Sequence, residues 1–376
     1  MGLLDKLLGR GAPQPEAVRD ALPADDEGVL VNAYATVRDL PPLGFAHVWH
    51  NQRDLSDPEL AEHLDGFTGY VMGRGDGQMT AARYHLWRHI QRVRHQLSFS
   101  VAADAFGAIE QWARDANAVL FLPDGSVRAP DGAVLIDGAG NSDPVATLPY
   151  PPDAVARRER TLADLAGIEP RPPASMPPAL GESEVVLRPA AEVLERAMAL
   201  TCVAVHAENL GAGDEDIRPR LREVNPLGMA SLTPEETAFM EADAPDVQTV
   251  SKMGWRYEAL NTLLWALGNP AGNLESSDQI ADAGTLARAT LDIALALRDS
   301  AHAPPADPQL RPTSEILDAL DRTWRQHWIV RQAGRTGVEP VGLRGDIVME
   351  RHVALNWLTG LHNAPGTEWD AIDTPS

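Results

Sequence analysis

The chain has 376 residues, a length that suggests two domains and permits a large core without disulfide or metal support. Asp and Glu outnumber Lys and Arg by 54 to 32, giving a net charge of −22, and a polyanion of this kind is a poor match for nucleic-acid phosphates. The densest basic stretch is Arg88, Arg92 and Arg94 beside His85, His89 and His95, and helical spacing spreads these over more than one face.

In chain order, Leu3, Leu4, Leu7 and Leu8 form an amphipathic turn too short for a signal segment, and Lys6 breaks the myristoylation pattern that Gly2 would open. No run approaches about 20 apolar residues, so no membrane span is expected and the protein is placed in the cytoplasm. Residues 12–27, rich in Pro, Ala and acid, are a flexible lead-in. A strand over Val29–Val37 is followed by a short helix opened by Asp57-Pro58-Glu59, with Asp57 as its cap. Leu86, Ile90, Val93 and Leu97 share one helical face, and Leu97, Phe99 and Val101 then alternate as in a strand. A second helix fits Asp104–Asn117. Val119–Leu122, the Pro123-Asp124-Gly125 turn and Ala133–Ile136 make a hairpin-like unit. These alternations predict an α+β N-terminal domain over residues 1–138.

Residues 139–185 are a proline-rich connector with one arginine-rich helix over Ala154–Leu165. From 186 to 376 every strong pattern is helical. Ala190–Glu208 is apolar on one side, with the single cysteine, Cys202, as a small core residue. Thr233-Pro234-Glu235-Glu236 has the form of a capping box. Trp255–Leu267 is closed by Gly268, and Leu286, Thr290, Ile293 and Leu297 mark another helix. Ile316, Leu320, Trp324 and Trp328 form a stripe flanked by Asp318–Arg322 and Asp321–Arg325 pairs, and Asp346 caps a last helix to Thr359. The fold class is therefore α+β, a small α+β domain followed by a mainly α-helical one.

Residues 157–374 resemble the bacterial family called domain of unknown function 4272. The resemblance rests on Glu192 and Arg196, Leu232-Thr-Pro-Glu-Glu236, Trp255-Arg256-Tyr257-Glu258 and Leu263-Leu-Trp-Ala-Leu-Gly268. It continues through Glu315–Asp321 with Trp328, then Glu350-Arg351-His352 with Ala354–Leu358, and ends on Trp369-Asp370 and Asp373-Thr374. It implies a bacterial origin and no mechanism.

The polar residues that could carry chemistry are Trp255, Arg256 and Glu258 on one helix, Glu350, Arg351, His352 and Asn356 on another, and Asp370 and Asp373 in the tail. A carboxylate beside an imidazole is a general acid/base pair where a pocket brings it to a substrate, and the same groups could hold a metal. The competing reading is a scaffold in which Arg256 or Arg351 forks onto a buried carboxylate and each Trp fills volume. His85 and His89 stand one helical turn apart, but no third ligand accompanies them, and no metal is assigned. No metalloprotease, P-loop, dinucleotide or Gly-x-Ser-x-Gly motif is present. Two functions remain: an accessory or interaction module that binds another protein, without catalysis, and a small-molecule- or metal-binding hydrolase-like domain using Glu258, His352 and Asp370. Cofactor and oligomeric state are not specified by the sequence.

Overall fold

A computed structural model describes residues 28–102, 106–299, 307–338 and 340–376. The leucines of the first turn, the lead-in over 12–27 and the Asp104 start of the second helix lie outside those residues. The chain divides into two compact units, residues up to Tyr150 and from Pro151 onward.

The first unit is built on a six-stranded antiparallel sheet. In sequence order its strands are β1 (Val29–Ala35), β2 (Val48–Asp54), β3 (His95–Val101), β4 (Ala118–Phe121), β5 (Val127–Arg128) and β6 (Val134–Ile136). Their spatial order is β2-β3-β1-β4-β5-β6. Alternation sends Val31, Ala33, Ala35, Leu97, Phe99 and Val101 to one face, where Ile109, Trp112 and Ala113 of α3 (Phe106–Asp115) cover them. Tyr34, Val119, Val127 and Leu135 face the other way, onto Phe67 and Val71 of α1 (Glu59–Met72) and Leu86 and Ile90 of α2 (Ala81–Ile90). β2 is an exposed edge strand, and its Val-Trp-His-Asn-Gln-Arg-Asp sequence carries no apolar alternation by which to read it. At the Pro123-Asp124-Gly125 turn Gly125 has φ +78°, and the Asp124 carboxylate accepts from Ser126 N at 2.8 Å.

α1 starts one residue later than expected: Pro58 stands at its cap without a side-chain bond, and Asp57, one residue before, accepts from Glu59 N at 2.9 Å. The histidines one turn apart on α2 have separate partners: His85 Nδ1 lies 2.8 Å from Tyr150 Oη, and buried His89 Nε2 lies 3.1 Å from Tyr34 O. Burial, then Arg92, holds His89 down to about 3. Leu148 and Tyr150 pack into this unit, whereas Met176, Ala179 and Leu180 belong to the core of the second.

The second unit is helical. Its helices are α4 (Pro152–Asp164), α5 (Ala190–Ala212), α6 (Arg218–Val224), α7 (Pro226–Ala230), α8 (Pro234–Glu241), α9 (Val247–Gly254) and α10 (Arg256–Ala266), then α11 (Ala283–Asp299), α12 (Thr313–Thr336) and α13 (Gly345–Thr359). The core joins Val193, Ala197, Leu200 and Ala204 of α5 to Leu260, Leu263 and Leu264 of α10. Leu317, Leu320 and Trp324 of α12 and Leu355 and Trp357 of α13 complete it.

Prolines leave carbonyls without a ladder to join, and arginines collect them along residues 174–180. Arg325 donates to Pro177 O at 2.9 Å, Arg157 to Leu180 O at 3.2 Å, and Arg158 to Ala174 O. Arg325 is also held by Asp321 at 2.8 Å, and both side chains are fully buried. The expected Asp318–Arg322 pair does not form: Asp318 takes Arg157 and Arg160, and Arg322 takes Asp164, because α4 lies against that face of α12. Asp346 likewise sits inside the first turn of α13 rather than at its cap, which is Arg344 with extended backbone and no side-chain bond.

The capping box is present as expected. Glu236 N donates to Thr233 Oγ1 at 3.2 Å, and Thr233 N donates to Glu236 Oε2 at 3.0 Å. Among the described residues no helix is long and apolar enough to cross a membrane.

Candidate functional site

Helices α10 and α13 pack side by side, and each contributes one arginine and one glutamate to the contact. Arg256 Nη1 straddles both carboxylate oxygens of Glu350, at 3.0 and 3.1 Å. Arg351 Nη2 lies 3.5 Å from Glu258 Oε2, an ion pair too long for a hydrogen bond. All four side chains are buried. Glu258 Oε1 accepts from Ala281 N at 2.7 Å, which leaves Oε2 with the ion pair alone, and Arg351 Nη1 lies 3.5 Å from Leu274 O. Asn261, one turn past Glu258, pairs with Asn273 through both its amide nitrogen and its oxygen, at 2.7 and 2.8 Å. The polar face of α10 is thus engaged in fixing the loop that leads to α11.

Burial of Glu350 raises its pKa above the usual carboxylate range, with Arg256 opposing the rise. Burial pulls Arg351 below the ordinary guanidinium value, and Glu258 works against it. Each arginine–carboxylate pair is therefore a mutual neutralisation, in which loss of one partner strands a charge in the core.

His352 has no exposed surface, and its Nδ1 lies 2.7 Å from Nδ1 of His327 on α12. The rings meet edge to face with centroids 5.0 Å apart. Such a contact requires one Nδ1 to carry a proton and the other to be bare, and burial favours the neutral form of both rings. Burial holds His327 down to about 4, with Arg331 adding to the effect. His352 falls well below its ordinary value through burial and then through His327, while Asn356 acts in the opposite direction.

The remaining predicted residues lie outside this cluster. Trp255 precedes α10 and carries the Arg344 guanidinium 4.9 Å above its ring. Asp370 is exposed and accepts from Glu235 N at 3.0 Å, at the start of α8. Asp373 is exposed too, and its main chain is what binds: its O accepts from Asn356 Nδ2 at 2.9 Å. Glu258, Glu350, Arg256 and Arg351 come together, His352 joins His327, and the two tail carboxylates stay apart from both groups.

Sequence reasoning passed over His327, which stands amid the Trp324/Trp328 stripe with no motif around it. It also passed over the pairing of Arg196 with Glu236, buried at 2.5 Å, although both residues belong to recognised segments. Trp369 joins these groups, with the Arg196 guanidinium 5.2 Å and the Arg256 guanidinium 5.9 Å from its ring.

Chemically, a neutral imidazole pair can accept one proton, but a general base must reach its substrate. Among the described residues, no group of three or more His, Cys, Asp and Glu is arranged to hold a metal ion. A cleft of about 370 Å³ opens elsewhere, between Arg222, Met229, Leu232, Met240 and Glu241, and no residue of the polar cluster lines it.

A helical unit stitched by buried arginine–carboxylate pairs, on a chain that also carries a separate antiparallel sheet, is the class of protein these features define. A family model, Domain of unknown function (DUF4272), matches residues 157–372, and the chain belongs to that family. No curated protein and no solved structure matches it.

Proposed function

We propose that this chain is a cytoplasmic binding protein without catalysis, whose helical unit is a rigid platform for a protein partner. The observation that carries the reading is that Glu258, Glu350 and His352, the best candidates for acid–base work, are each buried and committed to Arg351, Arg256 and His327. Groups engaged in this way lock helices together, and a ligand site would leave at least one of them reaching into a cleft. The net charge of −22 favours a basic partner surface and speeds its encounter.

The test is capture of the intact chain from its own cells at low and at high salt, with stoichiometry read by native mass spectrometry. A protein recovered at a fixed ratio, and shed as salt rises, is the expected result. Recovery of the chain alone under both conditions, with reversible cross-linking applied first, overturns the reading.

A further inference from the structure

Ile372–Ser376 runs over helices α12 and α13 as an extended strap, and the bonds that hold it are made by side chains to its backbone. Asn363 binds Asp373 in both directions, accepting from its N at 2.8 Å and donating to its O at 3.0 Å. Asn356 Nδ2 donates to the same oxygen at 2.9 Å. Trp324 Nε1 donates to Pro375 O at 2.9 Å, and Arg331 Nη1 reaches Ser376 O and Oγ, both at 3.3 Å. Apart from the bond to Ser376 Oγ, each of these contacts reads main chain. The Asp373 side chain is exposed, and Ile372 packs against the rim of the core.

Side-chain amides and an indole N–H set in a row, all addressed to backbone atoms, are one way an extended peptide is gripped through its main chain. Proline at 375 fixes φ and has no N–H to satisfy, so its carbonyl is the natural point for a donor such as Trp324. We propose that the surface formed by Trp324, Arg331, Asn356 and Asn363 is a peptide-binding groove, occupied in cis by Ile372–Ser376, and that its partner ligand is an extended, proline-containing segment of another protein. This deepens the binding reading above and rests on it, by giving the chemistry of the segment bound.

A ligand tethered beside its own site acts at an effective concentration of about millimolar, so the strap excludes a weaker competitor until it is loosened.

The experiment uses the full chain and a fluorescein-labelled peptide with the sequence of Ile372–Ser376, followed by anisotropy up to millimolar protein. Asp373→Pro removes the N–H that Asn363 accepts, and Pro375→Gly leaves every bond in place while loosening the backbone. Loss of one hydrogen bond corresponds to about three- to ten-fold in affinity, so the probe is expected to bind the Asp373→Pro chain tighter than wild type by that factor. Pro375→Gly should fall between the two, and adding Asn363→Ala to Asp373→Pro should abolish binding.

The proposal is overturned if folded Asp373→Pro binds the probe no better than wild type, or if Asn363→Ala leaves binding intact. It is equally overturned if both loosened chains lose cooperative unfolding, which would make the strap part of the core. Dimers forming in place of peptide binding assign the groove to a second copy of the chain, and also overturn it. A partner captured from cells despite failure of the peptide assay leaves the binding function standing and removes only this groove.

Discussion

His327 Nδ1 and His352 Nδ1 stand 2.7 Å apart across the contact of α12 with α13, so a single proton is shared between two buried rings. Adding a further proton to the neutral pair places a cation in the core beside Arg331, which already disfavours it. The pair is thus a place where acid works against the fold.

The sign follows from linkage. Both rings have folded pKa values below the unfolded value of about 6.5, so between that value and about 4 the unfolded chain binds more protons than the folded one. Stability of the helical unit is therefore expected to fall as pH drops through this window, by about 1.4 kcal/mol per pH unit for each proton taken up. His327→Gln keeps a hydrogen-bonding side chain and removes one titrating ring. Urea midpoints measured from pH 7 to pH 4 should show a shallower slope for the variant, and parallel slopes would show that the pair does not govern acid sensitivity.

Glu258→Ala strands Arg351 and leaves Ala281 N without its acceptor. The expected cost is about 3–5 kcal/mol in equilibrium unfolding of the helical unit. Glu258→Gln retains an acceptor for Ala281 and should lose less. If either variant were as stable as wild type, the carboxylate would be kept for something other than the fold.

Thr233→Ala removes one half of the capping box and should cost about 1 kcal/mol. Glu236→Ala removes the other half and also uncovers Arg196, so its cost should reach about 3–5 kcal/mol. A cycle with Arg196→Ala is the check: restoring much of that stability in the double variant identifies the stranded charge as the cause. Simple additivity would assign the loss to the cap alone.

Cys202 is buried, receives a bond from Asn225 Nδ2 at 3.2 Å, and has its thiol pushed up to about 12 by burial and by Glu236. The native chain should resist iodoacetamide at pH 8, with alkylation appearing only in urea, since thiolate is the reactive species. Rapid labelling of the folded chain, followed by mass spectrometry, would contradict this packing.

Periodicity and punctuation were enough for the long helices and for the capping box at Thr233, because those depend on residues three or four apart. They were enough for the central strands too, since β1 and β3 are apolar where they are covered. They failed at β2, an exposed edge whose pairing with β3 is made by backbone atoms common to every residue. The short helices α6, α7 and α9 also went unread, each being too brief to show a period.

For the polar cluster, the sequence by itself determined the cast: two arginines and two glutamates on helices α10 and α13. It also determined that the family segment runs through all of them. Which carboxylate meets which guanidinium, the meeting of His352 with His327, and the strapping of Asp373 onto Asn363 were decided only by tertiary structure. The physical reason is that each joins groups on different structural elements, brought together by burial of an apolar core, and local spacing carries no information about that approach. The same reason displaced Arg322 from Asp318: an i,i+4 pair is a weak preference of about 0.2–0.5 kcal/mol, and packing α4 against α12 offered both residues other partners.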